Sequence, residues 1–157
     1  MKTELAVQLI RQLTKRGMHL ATAESCTGGG IGQALTSVSG SSAVYLGGVI
    51  SYANEVKEQL LSVPHEVLAT VGAVSEETAK AMANGVRQLL HADLAVAVTG
   101  IAGPNADGTD KPVGLVYISV SDAARTMVSE YHFSGDREAV REQTIIHALQ
   151  MLLQMIA

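Results

Sequence analysis

The residues able to carry chemistry gather in one stretch, TAESCTGGGIG over residues 22–32. Ser25 and Cys26 stand at the end of an apolar run, MHLATA, and three consecutive glycines, Gly28, Gly29 and Gly30, follow them. An apolar run, a hydroxyl beside a thiol, glycines and then a helical apolar pattern at Ile31, Ala34 and Leu35 read as strand, tight turn and helix. The first four amides of a helix lack internal partners and sit at the positive end of its dipole, so negative charge arriving there is stabilised. Glycines let such amides approach a ligand with no Cβ in the way. A nucleophile at Ser25 would therefore attack a carbonyl with oxyanion donors close by. The plainer alternative is that Ser25 or Thr27 caps the helix while the glycines make a turn.

A serine hydroxyl needs a base. The five histidines, at 19, 65, 91, 132 and 147, scatter over strand edges, helix ends and a helix interior, which argues against a Ser-His-Asp triad. Lys57 is the better partner. It falls in the first turn of a helix after SYAN, where the dipole opposes its charge and partial burial would lower its pKa further. Tyr52, at the end of the preceding strand, could relay the proton or hold the lysine amine through its hydroxyl. A solvated helix lysine and a sheet-end tyrosine are the bland alternatives. Cys26 competes as nucleophile because a helix start depresses a thiol pKa, although a lone cysteine is also a common small core residue.

Positioning these groups requires a sheet. The pattern predicts helices over 3–15, ended by Gly17, and 31–36, a loop at 37–42, and strands over 18–23 and 43–53, with Gly47 and Gly48 marking a bulge or close packing. Asn54 reads as the cap of the Lys57 helix. Pro64 opens a short helix that Gly72 closes, and Ser75 caps a long one with acids at its start and Arg87 and His91 near its end. Residues 94–99, LAVAVT, form a continuous apolar run of the kind buried on both faces of a parallel sheet. Strands follow over 115–120 and about 126–133. Gly135 and Asp136 start a last helix whose apolar face is Val140, Ile145, Ile146, Leu149, Leu152 and Leu153. The alternation implies α/β: a three-layer α/β/α sandwich with a mixed, mostly parallel sheet, with ligands bound off the carboxyl ends of its strands. Both glycine loops, after Ala23 and after Thr99, are exits of this kind, so they can share one pocket.

The second loop, GIAGPNADGTDKPVG from Gly100 to Gly114, does not match a P-loop, because Thr109 and Asp110 separate Gly108 from Lys111. The first stretch lacks G-x-G-x-x-G, so neither an NTPase nor an NAD enzyme is supported. Asp107 and Asp110 read either as ligands of a cation or as solvated loop residues. Arg137 and Arg141, one turn apart, present a double cationic face suited to a phosphate or carboxylate, or else a solvated one.

The 157 residues, 47% of them hydrophobic, fit one domain, 1–157, with a sizeable core. A formal charge of −4 without a basic block gives no footprint of a nucleic-acid binder. The first 17 residues place Leu5, Leu9 and Leu13 among charges, unlike a signal peptide or a membrane span, and the single cysteine fits a reducing compartment, so the expectation is a cytoplasmic protein without a membrane partner.

Four stretches together, AESCTGG (23–29), SYANEVK (51–57), GAVSEETAKAMANG (72–85) and TGIAGP with KPVG (99–104 and 111–114), resemble the CinA C-terminal domain family, whose characterised members are nicotinamide-nucleotide amidases. FSGDREAVR (133–141) matches as well. In longer members this domain follows a molybdopterin-cofactor-binding-like domain, so the chain looks like the stand-alone form. The resemblance implies hydrolysis of the carboxamide of nicotinamide mononucleotide, in pyridine-nucleotide salvage, to nicotinic acid mononucleotide and ammonia with no metal or organic cofactor. It gives Ser25 the nucleophile role, Lys57 the base and Tyr52 the supporting hydroxyl, with amides of the Thr27, Gly28 and Gly29 turn holding the oxyanion. Thr99, Gly100 and Arg141 fall in substrate-site motifs, and Arg141 with Arg137 is assigned to the phosphate. The loop departs from the family at Asn105, where an Asp is common, which removes a charge near the expected pocket. Members without detectable amidase activity leave a second reading, a non-catalytic nucleotide-binding or regulatory domain that retains the pocket; a thiol hydrolase using Cys26 is a third. Apolar surface on the long helices, together with the family, points to a homodimer or higher homo-oligomer.

Overall fold

A computed structural model describes residues 1–157. In chain order the elements are α1 (Lys2–Arg16), β1 (Leu20–Glu24), α2 (Gly30–Thr36), a 3-10 turn (Ser41–Ala43), β2 (Tyr45–Ile50), α3 (Asn54–Leu61), α4 (His65–Thr70), α5 (Glu76–Leu89), β3 (Leu94–Gly100), β4 (Leu115–Ser121), β5 (Thr126–His132) and α6 (Arg137–Ile156). The five strands form one sheet in the order β2-β1-β3-β4-β5. β1 pairs in parallel with β2 and β3, β4 is antiparallel to β3, and β5 is antiparallel to β4. Four strands therefore run one way and only β4 is reversed, which makes the sheet mixed and mostly parallel.

The layers follow from the period of two along each strand. Leu20, Leu94, Val96, Val98, Val116, Ile118 and Val120 face one way, into a core shared with α1, α2 and α6. Ala21, Ala23, Ala95 and Ala97 face the other way, against Met82, Ala83 and Val86 of α5 and Leu61 of α3. Large side chains fill the first face and alanines the second, so α5 lies close to the sheet. α3 in turn lies close to α5, because a Cβ on Gly85 would stand 1.9 Å from the Leu61 carbonyl oxygen. That contact fixes the helix carrying Lys57.

Several local expectations are revised. Asn54 does not cap α3: it is the first helical residue, Ala53 occupies the cap position, and no side chain bonds the helix start. Ser75 does cap α5, accepting from the Thr78 amide, and Asp136 caps α6 through the Ala139 amide. The expected bulge is a register shift between Leu20/Tyr45 and Ala21/Gly47, which leaves Leu46 without a partner on β1. On α6 the buried face adds Thr144, Ala148, Met151, Met155 and Ile156, while Ile146 and Leu153 are half-buried. Exposed large apolar residues lie less on the long helices than on the free edge strand β2 and the segment after it, at Leu46, Ile50, Tyr52 and Leu60. No helix is long and apolar enough to cross a membrane.

Candidate active site

Alternation along β1 continues past its end. Ser51 donates its amide to the Glu24 carbonyl at 2.8 Å and Ser25 donates to the Val98 carbonyl at 3.1 Å, so the carboxyl end of β1 is held from both sides, Glu24 by the segment after β2 and Ser25 by β3. Glu24 then faces the α2 side and Ser25 the α3 side. The chain reverses at once: Gly28 donates its amide to the Ser25 carbonyl at 3.1 Å, with φ of 58° at Gly28 and 103° at Gly29. Both angles lie in the left-handed region that favours glycine.

Lys57 reaches this point from α3 and is almost wholly buried, with 1% of its surface exposed. Its Nζ lies 2.7 Å from the Ser51 carbonyl, 3.1 Å from the Tyr52 carbonyl and 3.2 Å from Ser25 Oγ. Burial pushes the amine down to about 8, with nearby Cys26 and Glu55 opposing that shift weakly. The geometry gives the neutral amine an orientation. As an ammonium Lys57 donates to all three oxygens; once neutral it has two N–H groups, enough for the two carbonyls, and a lone pair for the Ser25 hydroxyl. A buried lysine with one acceptor more than its neutral form can satisfy is poised to exchange a proton with that hydroxyl.

Cys26 lacks the lowered thiol pKa expected of a helix start. Burial pushes its thiol up to about 12, and Glu24 adds to the rise, which reverses the expectation drawn from the helix start. Tyr52 contributes its backbone carbonyl to Lys57, whereas its hydroxyl, on a largely exposed side chain, accepts from Arg137 at 3.3 Å. The hydroxyl therefore holds Arg137 and not the lysine amine. Arg137 also donates to the Gly103 carbonyl at 2.8 Å. Arg141 donates to the Cys26 carbonyl at 3.1 Å and the Thr27 carbonyl at 3.0 Å, clamping the turn from α6. Each guanidinium keeps further N–H groups beyond these bonds. The Gly28 amide, expected among the oxyanion donors, is spent inside the turn; the amides of Cys26, Thr27 and Gly29 make no hydrogen bond within the chain.

Ser25, Cys26, Tyr52, Lys57, Thr99, Gly100 and Arg137 line one pocket of about 180 Å³, joined by Asn54 and Asp107. Thr99 donates its hydroxyl to the Ala73 carbonyl at 2.8 Å and so fixes the pocket's far wall. Arg137 also borders an outer hollow of about 580 Å³ with Arg141, Pro104 and Val113. None of the histidines lines either space. The charge expected to be missing at Asn105 returns two residues on, since Asp107 is the one carboxylate on the pocket wall.

The residue that sequence reasoning missed is Glu24. Its carboxylate is 2% exposed and accepts from Thr27 Oγ1 at 2.6 Å, the Ile31 amide at 2.8 Å and the Gly32 amide at 3.0 Å. An acid ending an apolar strand just before a helix start was the available signal, because such a start attracts negative charge.

With this geometry in place, the chain can be set beside known proteins. The family model of the CinA C-terminal domain matches residues 2–156. The chain belongs to that family. It is 46% identical over 153 residues to the "Nicotinamide-nucleotide amidohydrolase PncC" of Pseudomonas putida, covering 98% of this chain and 96% of that protein. A "CinA-like protein" of Geobacter sulfurreducens is 51% identical over 142 residues, 90% of this chain but 34% of that protein, so the chain spans about a third of such longer relatives. Among solved structures, the competence/damage inducible protein CihA from Agrobacterium tumefaciens superposes with a TM-score of 0.96 at 42% identity, over 99% of this chain and 96% of that one. A CinA superfamily protein from Klebsiella pneumoniae gives 0.96 at 35% identity over 99% and 98%.

Proposed function

We propose that this CinA-family chain is an amidase that hydrolyses the carboxamide of nicotinamide mononucleotide, with Ser25 as nucleophile and Lys57 as its base. The observation that supports the mechanism is the buried Lys57 amine, 3.2 Å from Ser25 Oγ and bonded to two backbone carbonyls. The substrate rests on the amidohydrolase from Pseudomonas putida, which the chain matches over nearly its full length.

In the first half-reaction Ser25 Oγ bonds to the amide carbon as its proton passes to Lys57 Nζ. The carbonyl oxygen gains the charge, and of the turn amides with no partner in the chain the one in the pocket beside Ser25 is that of Cys26, since Thr27 is fully buried and Gly29 borders another hollow. Lys57 then gives the proton to the departing nitrogen, the carbon–nitrogen bond breaks, and ammonia leaves a nicotinoyl ester on Ser25. Water, deprotonated by Lys57, attacks that ester; the acid departs and the proton returns to Ser25. Atoms balance with one water consumed, and every proton moves through one amine. The flat ring with its amide fits the inner pocket, while ribose and phosphate extend to the outer hollow bordered by Arg137 and Arg141.

The test is ammonia release from nicotinamide mononucleotide by the purified protein beside Ser25→Ala and Lys57→Ala. Turnover that both variants lose is the expected result. Absence of turnover in the wild type, with the mononucleotide still raising the melting temperature, would replace the amidase with a binding domain.

A further inference from the structure

We infer that Glu24 is a positioning residue of this reaction: its buried carboxylate occupies the start of α2, locks the turn that carries Ser25, and so holds Ser25 and the neighbouring Cys26 amide in place at the pocket. The inference rests on the amidase reading for its substrate and on the hydrogen-bond network for everything else.

The network has two halves with opposite needs. Glu24 accepts: one oxygen takes the Thr27 hydroxyl and the Ile31 amide, the other the Gly32 amide. Arg141 donates to the Cys26 and Thr27 carbonyls. Thr27 is thereby held at its side chain by the strand it has just left and at its carbonyl by the last helix. Between these anchors the backbone has little freedom left, and the Cys26, Thr27 and Gly29 amides keep no other partner.

Chemistry explains why an acid stands there. A carboxylate buried without a cation on it is destabilising unless its lone pairs are satisfied. Three donors meet Glu24, two of them amides of the first turn of a helix. A glutamine would keep one accepting oxygen but turn an NH2 group toward one set of donors. An apolar residue would leave the Ile31 and Gly32 amides without an acceptor and the Thr27 hydroxyl without its anchor, and the turn would loosen. By filling that start itself, Glu24 ties the turn after Ser25 to the strand before it.

Ser25 can be read without the substrate. A fluorophosphonate probe reacts with an activated serine and mimics the charged tetrahedral state, and mass spectrometry gives its rate at Ser25. Glu24→Gln and Glu24→Ala are compared with wild type by labelling rate, by kcat and KM on nicotinamide mononucleotide, and by melting temperature. Leu9→Ala, a truncation in the core under α1, calibrates the effect of lost stability alone. The expected result is a fall in labelling rate and kcat of about 10- to 1,000-fold, the range for one lost oxyanion donor, with KM within about 2-fold and Gln less damaging than Ala. Unchanged kcat and labelling in folded Glu24 variants would overturn the inference, as would a loss no greater than Leu9→Ala shows at equal melting temperature. If neither Glu24 variant folds, Thr27→Val removes only the hydroxyl donor; a severalfold slower labelling supports the inference and an unchanged rate overturns it. A wild type that releases no ammonia yet is labelled at Ser25 defeats the amidase reading alone, and the labelling rates still decide the role of Glu24. A wild type that is not labelled defeats the inference itself.

Discussion

The turn after β1 and the loop after β3 both border one pocket, the first through Ser25 and Cys26 and the second through Ala102 and Asp107, yet they are held in opposite ways. In the first, Ser25, Cys26, Thr27, Gly28, Ile31 and Gly32 each make a hydrogen bond to β1, β3, α6 or the turn itself. In the second, residues 104–110 are exposed, and the tethers sit near its ends: Arg137 on the Gly103 carbonyl, and Lys111 on the Val71 and Val74 carbonyls. Asp107 reaches the pocket from the untethered middle, with only Thr109 of its own loop bonded to it. The difference separates two tasks. Bond-making needs groups held to a fraction of an ångström, whereas admitting and releasing a substrate needs a wall that yields.

That contrast can be broken at graded points. Lys57→Met, which leaves the turn folded but without a base, should lower kcat by about 1,000-fold or more. In the wild type kcat/KM should climb with pH and level off above about 8, where Lys57 loses its proton, and this limb should vanish in the variant. The same group makes a stability prediction. Between about 8 and the ordinary lysine value of about 10.4, the unfolded chain binds a proton that folded Lys57 does not, so stability rises with pH across that window. Urea midpoints should show the rise in wild type and its absence in Lys57→Met. Arg141→Ala should follow, with kcat down about 10- to 100-fold as the Cys26 and Thr27 carbonyls lose their clamp. A change in KM alone would make Arg141 a substrate ligand and nothing more. Lys111→Met releases the far end of the second loop and should raise KM about 3- to 10-fold while kcat stays within about 2-fold. Asp107→Asn should have the smallest effect, a KM increase of about 2-fold toward a cationic pyridinium ring, since an exposed charge is screened by water. If the last two variants lower kcat more than Arg141→Ala does, the division between the loops is wrong.

The same division marks what could be read without coordinates. The strand, turn and helix around Ser25 are local: apolar runs, glycines and caps lie within a few residues of one another, so the fold was legible, and it brings Lys57 to 3.2 Å from Ser25, as the pairing expected. Partners across the chain were not. Arg141 reads as an anion ligand on its helix, and only the folded chain brings its guanidinium to carbonyls 114 and 115 positions away. Tyr52 reads as a hydroxyl for Lys57, but a strand exit gives the lysine its carbonyl and turns the ring outward to α6. Glu24 carried only a weak signal, because an acid at a strand end before a helix start can equally face solvent.

The reach of Arg141 back to the turn also bears on how the protein is made. Ser25 leaves the ribosome long before the residue that clamps its turn. At roughly 5–20 residues per second, the 115 positions between Cys26 and Arg141 correspond to about 6–23 s of synthesis. During that interval the turn that carries Ser25 stays without its clamp, and it is completed only once α6 has been made.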